Sequence, residues 1–223
     1  PKSMKDLPKF IDAPRSLAKS DASLHVTTNQ ETGEALLAGM GELHLEITVY
    51  RLEEEQNIKV KVSPPIVVYR ESVEGDNKGR SFEGKSPNRH NRFMIECEPL
   101  TSEVVSALRE GHFGSGTIRS GDAKEIGNKF GEFGMDKDLM RKIYAINGTN
   151  VLVNDTKGIQ GLHETRELII EAFNEVCKKG PVADEPVMGM MVRLVDAKLH
   201  EDAIHRGPAQ TIPAVRNGIK GAM

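Results

Sequence analysis

The chain has 223 residues with 30 basic and 33 acidic side chains, a formal charge of −3, which suits one large or two small domains and excludes a polycation drawn to phosphates by its overall field. Hydrophobic residues at 38% and charged ones at 28%, with 21 glycines and 11 prolines, exclude a disordered or collagen-like polymer and describe a globular protein with many loops. The longest apolar stretch, near Ala35 to Gly41, is far short of the ~20 residues of a membrane helix, so no membrane partner is expected.

Leu7 to Ala18 carries apolar residues at helical spacing around Pro8 and Pro14, and Leu24 to Thr28 alternates as a strand does. Glu31-Thr32-Gly33 reads as a turn into a second short strand, Ala35 to Ala38. Met40, Leu43, Ile47 and Tyr50 then share one helical face and Leu45, Val49 and Leu52 the next, which predicts a helix ending in Glu53-Glu54-Glu55. Ile58, Val60 and Val62 alternate as a third strand. The order predicts a small α+β sandwich over residues 1–62. Ser63-Pro64-Pro65 continues neither a helix nor a ladder, and we place a domain boundary there. Residues 1–62 hold 8 basic and 10 acidic side chains and residues 63–223 hold 22 and 23, so neither part is a polycation.

The second part is predicted to open with a strand, Ile66 to Arg70, paired with another around Phe93 to Glu98 across the glycine- and charge-rich stretch Gly75 to Asn91. Ser102 to Arg109 reads as a short helix, and Gly111 to Gly134 as alternating helix and loop. The core resumes at Ile143, and Val151 to Val153 is a strand entering the turn Asn154 to Gly158. Leu162, Ile169, Ile170, Phe173, Val176 and Cys177 mark an amphipathic helix that stops at Gly180-Pro181. Val187 to Leu199 reads as a long strand and Pro213 as the first residue of a last helix. Cys97 and Cys177 are too few for a disulfide scaffold and are expected as small buried hydrophobes in a reducing cytosol. With Pro1 in place of an initiator methionine, the chain reads as a piece of a longer protein.

Familiar catalytic signatures are absent from the sequence. Gly75 to Ser81 is one residue short of G-x-x-x-x-G-K-[ST] and carries Arg80 for the lysine; H-E-x-x-H, C-x-x-C and G-x-S-x-G do not occur. Two segments stand out. Lys85 to Arg92 holds three cations, Lys85, Arg89 and Arg92, and no acid, around turn formers that present donors to solvent: a solvated hairpin tip, or a contact for phosphate or RNA. Leu199 to Gln210 gathers His200, Glu201, Asp202, His205 and Arg206 into one connection; it reads as a metal site, a recognition loop or a merely polar link. Both segments are expected to meet at one end of the second part. His25, His44, His112 and His163 read as core or surface histidines.

The run His200 to Gln210 resembles the loop of the translation elongation factor 2 family, archaeal and eukaryotic, that carries a diphthamide-modified histidine, and Ser86 to Arg92 resembles that family's neighbouring tip loop. Leu7 to Asp21, Gly39 to Glu46, Val62 to Glu71 and Asp155 to Gly158 are similar to the family as well, so the resemblance runs from Leu7 to Met223. Gly207-Pro208-Ala209 departs from the consecutive glycines of eukaryotic members and favours an archaeal source.

The resemblance implies α+β folds: a ferredoxin-like domain III over 1–62, then a larger domain IV over 63–223 with a left-handed βαβ crossover, against the usual preference. It implies a GTP-dependent translocase whose tip enters the decoding region of the ribosome. His205 would be the diphthamide residue, with Pro87, Asn88, Arg89, His90, His200, Asp202, Ile204, Arg206 and Gly207 facing RNA around it. Implied partners are ribosomal RNA, the tRNA–mRNA duplex, the factor's own GTP-binding domain and domains II and V, and the diphthamide-synthesis enzymes; the implied compartment is the cytoplasm. GTP and magnesium would belong to the intact factor, while this stretch would hold no catalytic residue, cofactor or metal. Two readings stay open beside it: a metal-dependent hydrolase using His90, His200, Asp202 and His205, and a free-standing RNA-binding protein.

Overall fold

Helix α1 (Leu7–Ser20) forms with Pro14 inside it, and Ala13 and Leu17 on its inner face are buried. The structure, a computed structural model, describes residues 7–29, 34–65, 69–75 and 79–223. They belong to two compact units, 1–68 and 69–223. In the first, β1 (His25–Asn29) and β2 (Glu34–Ala38) pair antiparallel with His25 opposite Ala38. Helix α2 (Glu42–Glu54) follows. The expected turn at 31–33 lies outside the described residues.

The expected third strand, Ile58 to Val62, is not a strand. Its alternation holds at Ile58 and Val60, which are buried with Leu52, Leu17 and Leu24, but not at Val62, which is exposed. Its amides, however, are taken elsewhere: Ile58 N–H donates to the Leu52 carbonyl at the end of α2, and Val60 N–H to the Glu53 carboxylate. Burial thus follows the sequence pattern at Ile58 and Val60 while the hydrogen bonds close onto a helix end. His44 is anchored here as well, bonded through Nε2 to Asp21 Oδ2 at 2.9 Å and accepting the Met40 amide at Nδ1.

The second unit is built on one sheet ordered β3-β4-β8-β7-β6-β5. Its strands are β3 (Phe82–Lys85), β4 (Arg92–Pro99), β5 (Gly116–Thr117), β6 (Ile143–Asn147), β7 (Asn150–Asn154) and β8 (Met190–Lys198). Helices α3 (Ser102–Arg109), α4 (Ala123–Glu132) and α5 (Lys137–Met140) fall between β4 and β6, α6 (Arg166–Lys178) between β7 and β8, and α7 (Pro208–Ala222) at the end. Every neighbouring pair is antiparallel except β7 and β8, which run parallel and are joined through α6 in a βαβ unit. Leu152 packs with α6 and α7 residues such as Phe173 and Val215. Its neighbours Val151 and Val153 pack on the other face with Val104 of α3 and Phe130 of α4. A central strand covered on both faces must be apolar without a break, and Val151-Leu152-Val153 is. The fold is α+β.

Ile66–Val68 lie outside the described residues, but Tyr69 and Arg70 are not in a strand and Glu71 makes a parallel bridge to Val187; the partners of β4 are β3 and β8 instead. Strand β3 was hidden because Gly84 sits where an apolar residue would have signalled it. A Cβ there would run into the Ala214 carbonyl, so the glycine lets α7 cross directly on the strand. The last helix starts at Pro208, with Pro213 inside it. Cys97 and Cys177 are both buried, as expected, and burial drives both thiols upward, Cys177 to about 12.

Candidate nucleic-acid interface

Lys85 to Arg92 closes the β3–β4 hairpin, and Leu199 to Gly207 leads from β8 into α7. Because β8 pairs with β4 so that Lys198 lies opposite Arg92, both loops leave the sheet at one end. The hairpin turn is built by Ser86 and Asn91, both buried. Ser86 N–H donates to the Asn91 carbonyl at 3.0 Å, Asn91 N–H returns to Ser86 Oγ at 3.0 Å, and Arg89 N–H donates to the Ser86 carbonyl at 2.8 Å.

The two loops are then tied together. Asn91 Nδ2 donates to the His205 carbonyl at 2.8 Å and Asn91 Oδ1 accepts His200 N–H at 3.0 Å. Asn88 adds a second bond to the His205 carbonyl, 3.2 Å, and its own N–H donates to Gln210 Oε1 at 2.9 Å. Within the second loop Asp202 caps the short 3-10 turn Ala203–Arg206 by accepting Ile204 N–H at 3.1 Å, and its N–H donates to His200 Nδ1 at 3.0 Å.

This clasp gathers three imidazoles. His90 stacks on His200 with ring centroids 5.0 Å apart, His205 stands edge-on to His200 at 4.4 Å, and His90 to His205 is 5.1 Å. His90 is exposed and the other two half-buried. Pro87, Arg89 and Asp202 are exposed, and Ile204 stands 79% exposed at the loop's apex. Asn88 and Gly207 are half-buried. Of the hairpin's three cations, Lys85 and Arg92 both pair with Glu83 of β3, at 2.9 and 3.2 Å. The third, Arg89, is exposed with left-handed backbone, φ 61°, where a non-glycine residue is uncommon.

Arg206 departs from the outward-facing role expected of it. It is buried, its guanidinium bonds the Glu164 carboxylate at 2.7 Å, and it lies against Gly161, where a Cβ would strike it. Thr211 Oγ1 further donates to the Arg206 carbonyl at 2.8 Å. The side chain therefore pins the loop to the body of the unit. Ser86, Asn91 and Gln210 lie in the two segments that stand out in the sequence, but neither their positioning role nor that of Gly161 and Glu164 is legible there: a polar residue in a loop reads as solvated unless its partner, over 100 residues away for Asn91, is known.

Comparison with known proteins agrees with the family resemblance. Residues 1–64 match the family "Elongation Factor G, domain III" and residues 116–223 match "Elongation factor G, domain IV". The chain is 55% identical over 218 residues to elongation factor 2 of Picrophilus torridus, covering 98% of the chain and 29% of that protein. It is 50% identical over 222 residues to the elongation factor 2 of Thermococcus onnurineus and 51% identical over 222 residues to that of Methanoregula boonei, each covering all of the chain and 30% of the relative. The chain thus spans about three tenths of the length of the curated relatives it matches. These relatives lend no support to a metal-dependent hydrolase or to a free-standing RNA-binding protein. With about half of its residues shared along its whole length and two domains of the family in their order, the chain belongs to the elongation factor 2 family.

Proposed function

We propose that this chain is the domain III and IV part of a GTP-driven translocase, and that the two clasped loops form the surface that meets the tRNA–mRNA duplex and ribosomal RNA in the decoding region. The observation that carries this reading is the pair of bonds from Asn88 and Asn91 to the His205 carbonyl, which makes one preorganised surface of loops far apart in sequence. RNA helices are recognised through phosphates, 2′-hydroxyls and shape. The imidazoles of His90, His200 and His205 and the guanidinium of Arg89 are suited to such contacts.

In this reading His205 carries diphthamide, installed by the factor's synthesis enzymes. It adds a fixed cation whose charge does not depend on pH. Residues 1–62 pass changes of nucleotide state to the arm, a coupling role. GTP and magnesium are held by the factor's own GTP-binding domain, alongside domains II and V, and the factor works in the cytoplasm. Among the described residues no helix is long and apolar enough to cross a membrane.

The test uses the intact factor on ribosomes. Arg89→Ala and His90→Ala should each slow tRNA movement by about tenfold, the equivalent of one charged hydrogen bond at about 1.5 kcal/mol, with GTP hydrolysis unchanged. Translocation at the original rate in both variants would remove the interface. For His205, mass spectrometry of its peptide from native cells should show the added mass, and a diphthamide-specific ADP-ribosylating toxin with NAD should label it. An unmodified, unlabelled peptide overturns that assignment. The 223-residue chain alone should show no micromolar binding of GTP with magnesium in calorimetry.

A further inference from the structure

The three imidazoles at the tip place one ligand nitrogen each within 4.8 Å of the other two. Nothing in apolar packing calls for that convergence, because His90 is exposed and the other two rings are only half-buried. From this geometry we propose that the unmodified tip binds one borderline divalent metal ion, of the zinc, copper or nickel class, through His90, His200 and His205. Three neutral nitrogen donors suit these ions and leave a hard cation such as magnesium, which demands oxygen ligands, poorly served.

Zinc–nitrogen bonds of about 2.0–2.1 Å in a tetrahedral set require ligand atoms about 3.3 Å apart. Ligand atoms up to 4.8 Å apart must therefore close by as much as about 1.5 Å, which calls for rotation of the rings about their side-chain bonds, His90 being the most exposed of the three. The backbone beneath them is already fixed: Asn91 holds the His205 carbonyl and the His200 amide at once. The arrangement has one competitor. His200 Nδ1 accepts the Asp202 N–H in an exposed bond, so the ion either takes that lone pair in place of the amide or uses Nε2 of the other tautomer. Asp202 itself is occupied in capping Ile204, and no reaction is assigned to the bound ion. The fixed cation of a diphthamide on His205 would repel a divalent ion, so metal and modification exclude one another. That last step rests on the diphthamide reading; the metal site does not.

The experiment is a calorimetric titration of the 223-residue chain, made in a host lacking the modifying enzymes, with zinc chloride and separately with magnesium chloride. One zinc ion should bind per chain, and excess magnesium should not displace it. His90→Ala, His200→Ala and His205→Ala should each weaken zinc binding by about tenfold or more. His25→Ala, in the other compact unit, should leave it unchanged. Ring proton signals of the three tip histidines, and of no other histidine, should shift on zinc addition. Zinc affinity unaltered in the three tip variants, or no saturable binding by the parent chain, overturns the site. Either result would leave the ribosomal reading untouched, since that reading is tested by translocation.

Discussion

Asn91, fully buried, donates its side-chain amide to the carbonyl oxygen of His205 at 2.8 Å. Its own amide oxygen accepts the N–H of His200, so one side chain satisfies both ends of the opposite loop. Asn91→Ala should strip these partners and cost about 1–3 kcal/mol of unfolding free energy in urea. More diagnostic is amide hydrogen exchange: protection at His200 should fall while that of the sheet core stays. Unchanged exchange there would mean that Asn88 and Gln210 hold the loops without Asn91.

Gly161 and Gly207 should respond differently to the same substitution. Gly161 has φ 74° and a Cβ there would strike the Arg206 guanidinium. Gly161→Ala should therefore cost about 1–3 kcal/mol and break the bond from Arg206 to Glu164. Gly207 has φ −66° and nothing within reach of an added Cβ, so Gly207→Ala meets no clash and should cost only the poorer N-cap preference of alanine, about 0.5–1 kcal/mol. Thermal melts of the two variants side by side decide the matter.

Gly84→Ala tests how α7 is seated. The new methyl would meet the Ala214 carbonyl, and Gly218 of the same helix is packed against Ile95 and Gly84. The helix must lift from the sheet, at a cost of about 1–3 kcal/mol by overpacking. A near-neutral melt would show that α7 has slack.

Asp21 supplies a pH signature. Its carboxyl is held at about 2, below the ordinary 3.8, first by the Ser23 hydroxyl and then by the His44 ring, with the Ser23 amide adding a third bond. The unfolded chain therefore takes up this proton more readily than the folded one. The associated stabilisation is complete above pH 3.8 and is lost as the pH falls toward 2. Ser23→Ala should move the carboxyl's midpoint up toward its ordinary value, measured by NMR titration of the Asp21 side chain; an unmoved midpoint would assign the shift to His44.

Much of the architecture could be read from spacing alone, and the exceptions share a cause. Alternation reports which side chains are buried, so Ile58 and Val60 were placed inside correctly, but it carries no information on where their amides bond. Gly84 and Arg206 misled in the same manner. Each departs from its usual role, loop former or solvated charge, because of a neighbour contributed by a distant segment: Ala214 for the glycine, Glu164 and Gly161 for the arginine. Pro213 resembled a helix start because Pro208, five residues earlier, had already filled that place. At the tip, the histidines and turn formers were visible as a group from their density, whereas the asparagines that join the loops show themselves only in three dimensions.

The clasp also carries a consequence for the order in which the protein matures. Its two halves lie 114 residues apart along the chain, and the second is anchored by α7, among the last residues of the sequence given. During vectorial synthesis the 85–92 hairpin thus emerges long before its counterpart. Until β8 has docked beside β4, the Asn91 side chain lacks its two partners across the clasp, the His205 carbonyl and the His200 amide. Any enzyme that recognises the assembled surface around His205 can act only after translation has passed α7, so modification at that ring would report completed folding rather than mere exposure of the histidine.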